Sequence, residues 1–182
     1  ARLAINAHGG AVLSEAEWTS ITNGFNTPAS SWMWGLQHSV DTVINNLFQF
    51  TAHMAIEASY GYAPLSQPGV SSLDYERLSD TDFRKKVIVG PNTKYADFAQ
   101  NTNISSEAAW KKWGAFGYGV YPYTSFKLRP GGGELENSST GNATSIPLMR
   151  VEEMLLIEAE ATAHYDAATG KSLLESFMAL RD

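Results

Sequence analysis

The segment that most constrains this chain is MRVEEMLLIEAEATAHYD, residues 149 to 166. Its apolar residues follow a helical period, which predicts one helix over the whole stretch. Met149, Leu156 and Ala163 share one side, Val151, Leu155 and Ala159 lie beside them, and Met154, Ile157 and Ala161 fill the rest. Apolar positions thus encircle the axis, as expected of a helix covered on two sides. The alanines permit close approach by a neighbour. After residues 167–171 a second helix is expected from Ser172, with Leu173, Leu174, Phe177 and Leu180 on one side. A turn of about six residues between two such helices implies an antiparallel pair.

Within this wrapping Glu153 and Glu160 fall on one stripe, with Arg150 and His164 near it. A carboxylate on an enclosed helix is costly unless paired or hydrogen-bonded. Arg150 and Glu153 are spaced for an i, i+3 pair. We therefore read Arg150, Glu153 and Glu160 as a structural ionic network that clamps adjacent helices, rather than as catalytic groups.

The remainder is less regular. Ser14 followed by Glu17 has capping-box spacing and predicts a helix start. Residues 19–37, with Trp32 and Trp34, read as irregular. Val40, Ile44, Leu47, Phe48, Thr51, Met54, Ala55 and Ala58 recur at helical steps and predict a helix that Gly61 and Pro64 end. Val87, Ile88 and Val89, bounded by Gly90 and Pro91, suggest a small strand. Ser105 or Ser106 is suited to cap a short helix through Trp113, and residues 114–133 look like a β-type segment between turns. Residues 130–145 are of low complexity and read as a mobile surface loop.

Composition narrows the function. The net charge of −6, without a basic run, argues against nucleic acid and anionic lipid surfaces. The absence of cysteine removes thiolate catalysis and thiolate metal sites. No apolar stretch approaches the roughly 20 residues that span a bilayer. His8, His38, His53 and His164 lack metal-ligand spacing, and the glycines match neither a dinucleotide nor a phosphate-loop pattern. No nucleophile elbow is present. Asp80 and Asp82 are weak Ca²⁺ candidates, since the rest of an oxygen shell cannot be assembled around them. No metal, cofactor or catalytic residue is expected.

Several motifs together resemble one family. IPLMRVEEMLLIEAEA is similar to the stretch of SusD/RagB proteins in which Ile-Pro leads to an Arg, a Glu three residues later, a Leu pair and Ala-Glu-Ala. Arg150, Glu153, Ala159, Glu160 and Ala161 match those positions. SWMWG resembles the family's Trp-rich stretch. SLDYERLSDTDFRKK resembles another segment through Tyr75, Asp82, Arg84 and Lys85, and SFKLRP a Lys-Phe strand, with Phe126 here preceding Lys127. The closing ALRD resembles the end of a helix carrying Asn and Arg.

The resemblance implies a mainly α fold of tetratricopeptide-like helical hairpins with long irregular loops and minor β structure. Residues 1–148 would be a loop-rich region with short helices and residues 149–182 a helix pair, together one incomplete domain. It implies a non-enzymatic, cell-surface glycan-binding protein of the outer membrane. A lipidated cysteine upstream of Ala1 would anchor it, and it would deliver oligosaccharide to a SusC-like TonB-dependent transporter. Further family segments would follow Asp182.

Sugar capture needs flat aromatic faces and polar partners. Trp110 and Trp113 flank two lysines, Tyr118 and Tyr121 follow, and Trp32 and Trp34 lie in the family-like stretch. These six are the candidate ligand-binding residues, although packing is the favoured role for Trp32 and Trp34 because such rings are usually buried. The rival readings are a glycoside hydrolase-associated protein and a helical-repeat scaffold that binds proteins. The first needs a carboxylate pair across a cleft. The second gives no reason for the aromatic loops.

Overall fold

The structure is a computed structural model and describes residues 1–9, 11–20, 22, 25–42, 49–58, 62, 69–93 and 120–182. Among these the chain is mainly helical with one small antiparallel sheet.

Pro147 decides where the long C-terminal helix begins. Proline fixes its own φ and lacks an N–H, and it disfavours helix in the residue before it. Residues Ile146–Arg150 accordingly form a strand, β2, antiparallel to β1, Trp32–Leu36. Trp32 stands opposite Arg150, Trp34 opposite Met149, Gly35 opposite Pro147 and Leu36 opposite Ile146. The register is irregular on either side of Trp34. Gly35 is required here: a Cβ would lie 2.6 Å from the Trp32 ring and 2.9 Å from the Ile146 carbonyl oxygen. Two expectations are corrected. Residues 19–37 are not wholly irregular, and Met149 and Arg150 belong to a strand rather than to the helix.

The helix after β2 is Val151–Ala163. Glu152 and Glu153 occupy its first turn, where the helix dipole favours acids. After the connecting residues 164–166 comes the last helix, Ala167–Met178. Asp166 caps it, accepting from the amides of Ala168 and Thr169 at 3.1 and 3.2 Å. That cap starts the helix five residues before the expected Ser172 and makes the turn shorter than expected. The two helices pack as a pair. Val151, Glu152, Ala159, Gly170 and Phe177 are buried, whereas Leu156, Ile157 and Leu174 remain exposed. The long helix is therefore not enclosed on all sides.

The N-terminal helix, Arg2–His8, lies against Val151–Ala163, and Arg2 pairs with Glu158 at 2.6 Å. The helix Glu15–Thr19 begins at the expected capping box, in which the Ser14 and Glu17 side chains each accept from the other's backbone amide. It brings Trp18 into a core with Leu13, Phe25, Phe83, Val87 and Ile88.

Three other expectations are corrected. The helix expected through Ala58 appears as a 3-10 turn at Val40–Thr42 and a short helix at Phe50–Met54, with residues 43–48 outside the described residues. The strand expected at 87–89 is reduced to a single bridge, Ile88 to Ser125, flanked by backbone hydrogen bonds of Val87 with Phe126 and of Val89 with Tyr123 and Thr124, while Val87 itself ends a 3-10 turn, Phe83–Val87. Much of 130–145 is packed rather than loose. A short helix, Ser138–Gly141, precedes buried Asn142, Thr144 and Ser145. The Thr144 hydroxyl bonds Thr51, and the Ser145 amide donates to the Asn26 carbonyl at 2.9 Å. The expected element at 105–113 and residues 114–119 lie outside the described residues.

Candidate functional site: an arginine-rich cleft

Four cations gather around the aromatic part of the core. Each is brought by a different segment: Arg84 by the turn after Asp82, Lys127 by the extended chain after Phe126, Arg150 by the end of β2, and Arg181 by the end of the last helix. Trp18 meets Phe25 edge to face at 4.1 Å between centroids, and Phe83 at 5.9 Å. The Arg150 guanidinium carbon lies 4.5 Å from the Phe25 ring centroid, and the Lys127 ammonium 4.2 Å from it. Arg181 sits 5.1 Å from the Trp18 and Phe177 centroids and 5.5 Å from that of Phe83. Such stacking of cation on ring face is attractive, more so where water is excluded.

Two buried carboxylates balance part of this charge. Asp82 accepts from Arg84 Nε at 2.9 Å. Burial opposes ionisation of Asp82, yet the hydrogen bonds and charge of Arg84, aided by Arg181, hold its pKa below the usual carboxylate range. Glu152 accepts the buried Leu13 amide at 3.0 Å and Arg150 Nε at 3.0 Å, with Arg181 Nη2 3.9 Å away. Arg150 Nη2 pairs with the same carboxylate.

The excess of positive charge is felt at Lys127. Lys127 is exposed as a residue, but desolvation of its ammonium against the Trp18 and Phe25 rings, then repulsion from Arg150, Arg181 and Arg84, pulls its pKa from 10.5 down to about 8. The unfolded chain therefore holds a proton on Lys127 that the folded chain has lost between pH 8 and 10.5, so stability should rise with pH across that window. Lys127→Met should abolish this rise. Urea midpoints at pH 7.5 and 9.5 check it, and a midpoint change shared equally by both proteins would refute it.

Above these groups opens a cleft of about 310 Å³, walled by Leu148, Met149, Leu156 and Phe177 with Arg84, Arg150 and Arg181 among its lining. Glu153 stands exposed at its edge.

The expected ionic network is thus redrawn. Arg150 engages Glu152 and not Glu153, and both Glu153 and Glu160 are exposed. Glu152 lies seven residues before the buried Ala159, on one helical stripe. That small residue was the available signal, but an all-round apolar helix gave no reason to prefer its stripe. Of the candidate ligand residues, Trp110, Trp113 and Tyr118 lie outside the described residues. Trp34 is 62% exposed and Tyr121 45%, and neither lines the cleft. Trp32 is half-buried, and its indole nitrogen has no acceptor. Asp80 pairs with Lys85 at 2.7 Å and Asp82 with Arg84, so both Ca²⁺ candidates are occupied by cations. Among the described residues no three metal-ligating side chains cluster, and no helix is long and apolar enough to cross a membrane.

No family model matches the chain, and neither curated proteins nor solved structures give a significant match.

Proposed function

We propose that this chain is part of a SusD/RagB-type receptor that captures oligosaccharides at the outer-membrane surface and passes them to a TonB-dependent transporter. In this reading the helices Val151–Ala163 and Ala167–Met178 are a tetratricopeptide-like hairpin. The observation that supports it is convergence. The segments on which the resemblance rests are far apart in sequence, yet Arg84, Arg150 and Arg181 line one cleft, Trp32 pairs with Arg150 across the sheet, and Lys127 stacks on the ring that Arg150 also covers. Motifs that meet around one charged cluster are expected to form a unit. The exposed Ile157 and Leu174 suit a hairpin that stacks against another.

Sugar contact falls to exposed aromatic faces, of which Trp34 and Tyr121 are two. A pyranose face covering some 40 Å² contributes about 1 kcal/mol, equivalent to about fivefold in affinity. Trp34→Ala and Tyr121→Ala should each weaken oligosaccharide binding by about that factor, Trp34→Ala while leaving the melting temperature unchanged. Trp110→Ala and Trp113→Ala should behave likewise. Calorimetric titration with a panel of oligosaccharides measures the effect, and a reducing-sugar assay should stay flat. Release of reducing ends, or no binding to any glycan of the panel, would remove the receptor reading.

A further inference from the structure

Buried hydrogen-bond donors without acceptors are rare in folded proteins. Among the described residues four buried nitrogens have none: the indole nitrogens of Trp18 and Trp32, and Nε and Nη1 of Arg181. Three of the four belong to Trp18 and Arg181, which line the arginine-rich cleft together. Arg181 is only 3% exposed. Its nearest acid, Glu152, lies 3.9 Å from Nη2, at the limit of an ion pair, and is already held by Arg150. Asp82 is likewise held by Arg84. The charge of Arg181 is therefore poorly matched, and burial together with repulsion from Arg84 and Arg150 lowers its pKa. Glu153 adds a negative charge at the edge, but water screens an exposed carboxylate.

We propose that this cleft binds a carboxylate carried on an apolar body, as presented by an N-acylated apolar amino acid or a peptide C-terminus. A carboxylate supplies an acceptor to one edge of the guanidinium, Nη2 with either Nε or Nη1, and to the indole N–H, and guanidinium recognises it in bidentate fashion along such an edge. The donors are withdrawn from water, so the acceptor must arrive with its own apolar cover rather than as a hydrated ion. Leu148, Met149, Leu156 and Phe177 provide the surface that such a body would meet. The inference does not depend on glycan capture, because Trp34 and Tyr121 lie outside this cleft.

The test is an NMR titration of the chain with N-acetyl-L-leucine, its uncharged amide, glucuronate and inorganic phosphate. The Trp18 indole N–H signal is followed, assigned through Trp18→Phe. N-acetyl-L-leucine should move that signal saturably, and the other three should bind at least tenfold more weakly. Leu156 is 42% exposed, so Leu156→Glu should fold normally and weaken binding of the acid about tenfold by repulsion. An unmoved Trp18 signal, equal affinity for the acid and its amide, or equal affinity for glucuronate or phosphate would overturn the proposal. So would unchanged binding in a folded Leu156→Glu variant.

Discussion

Glu152→Ala should lower the unfolding free energy by about 3–5 kcal/mol, the range for breaking a buried ion pair by removing one partner. The carboxylate faces two guanidinium groups and a backbone amide. Without it Arg150 and Arg181 remain in the core with like charges unopposed, and the buried Leu13 amide loses its acceptor. The cost is that of stranded groups, not the net worth of the pair, which desolvation largely cancels. Glu152→Gln keeps an acceptor for Leu13 and should fall between wild type and Glu152→Ala. By contrast, Glu153→Ala and Glu160→Ala remove exposed carboxylates and should change stability by about 0.5 kcal/mol or less. Urea unfolding of the four variants, with slopes compared to confirm a common denatured state, measures the set. If Glu153→Ala or Glu160→Ala proved as costly as Glu152→Ala, the pairing of Arg150 with Glu152 would be refuted.

That contrast also shows how far the sequence carried. The Ser14–Glu17 capping box was legible because its partners are three residues apart. The helix pair was legible because its period is strong. Which stripe of Val151–Ala163 turns inward was not, because apolar residues encircle the helix and the period gives no sign. The answer comes from Leu13, Arg150 and Arg181, and two of these lie far outside the helix. The strand at Ile146–Arg150 was hidden for a similar reason: its partner, Trp32–Leu36, is more than a hundred residues away in sequence. Residues 130–145 look loose by composition, yet the Ser145 backbone amide is held by the Asn26 carbonyl and the Thr144 hydroxyl by Thr51. Low complexity reports a poor local preference for structure and says nothing of such distant partners. Among the site residues, the resemblance drew attention to Arg84, Lys127 and Arg150, but not to Trp18, the ring that Lys127, Arg150 and Arg181 all approach.

Gly170→Val should destabilise the protein by about 3 kcal/mol, the upper part of the usual range for overpacking. Gly170→Ala should cost somewhat less. Helix propensity alone gives the opposite sign for alanine, since glycine inside a helix is about 1 kcal/mol less favourable than alanine. Packing and helix propensity are therefore separable by experiment. Gly170 is buried where the last helix crosses its partner, and a Cβ there would fall 2.6 Å from the N, Cα and Cβ of Ala163. No side-chain rotation relieves a clash with backbone atoms, so the helices must move apart. The displacement would reach Phe177, two turns on along the same stripe, and with it the ring that covers Arg181. Ala163→Gly in the Gly170→Ala background should restore only part of the loss, because it removes the Cβ contact and leaves those with N and Cα. A double-mutant cycle measures that coupling. Should Gly170→Ala prove as stable as wild type or more so, propensity would have outweighed packing, and the close crossing of the two helices would have to be abandoned.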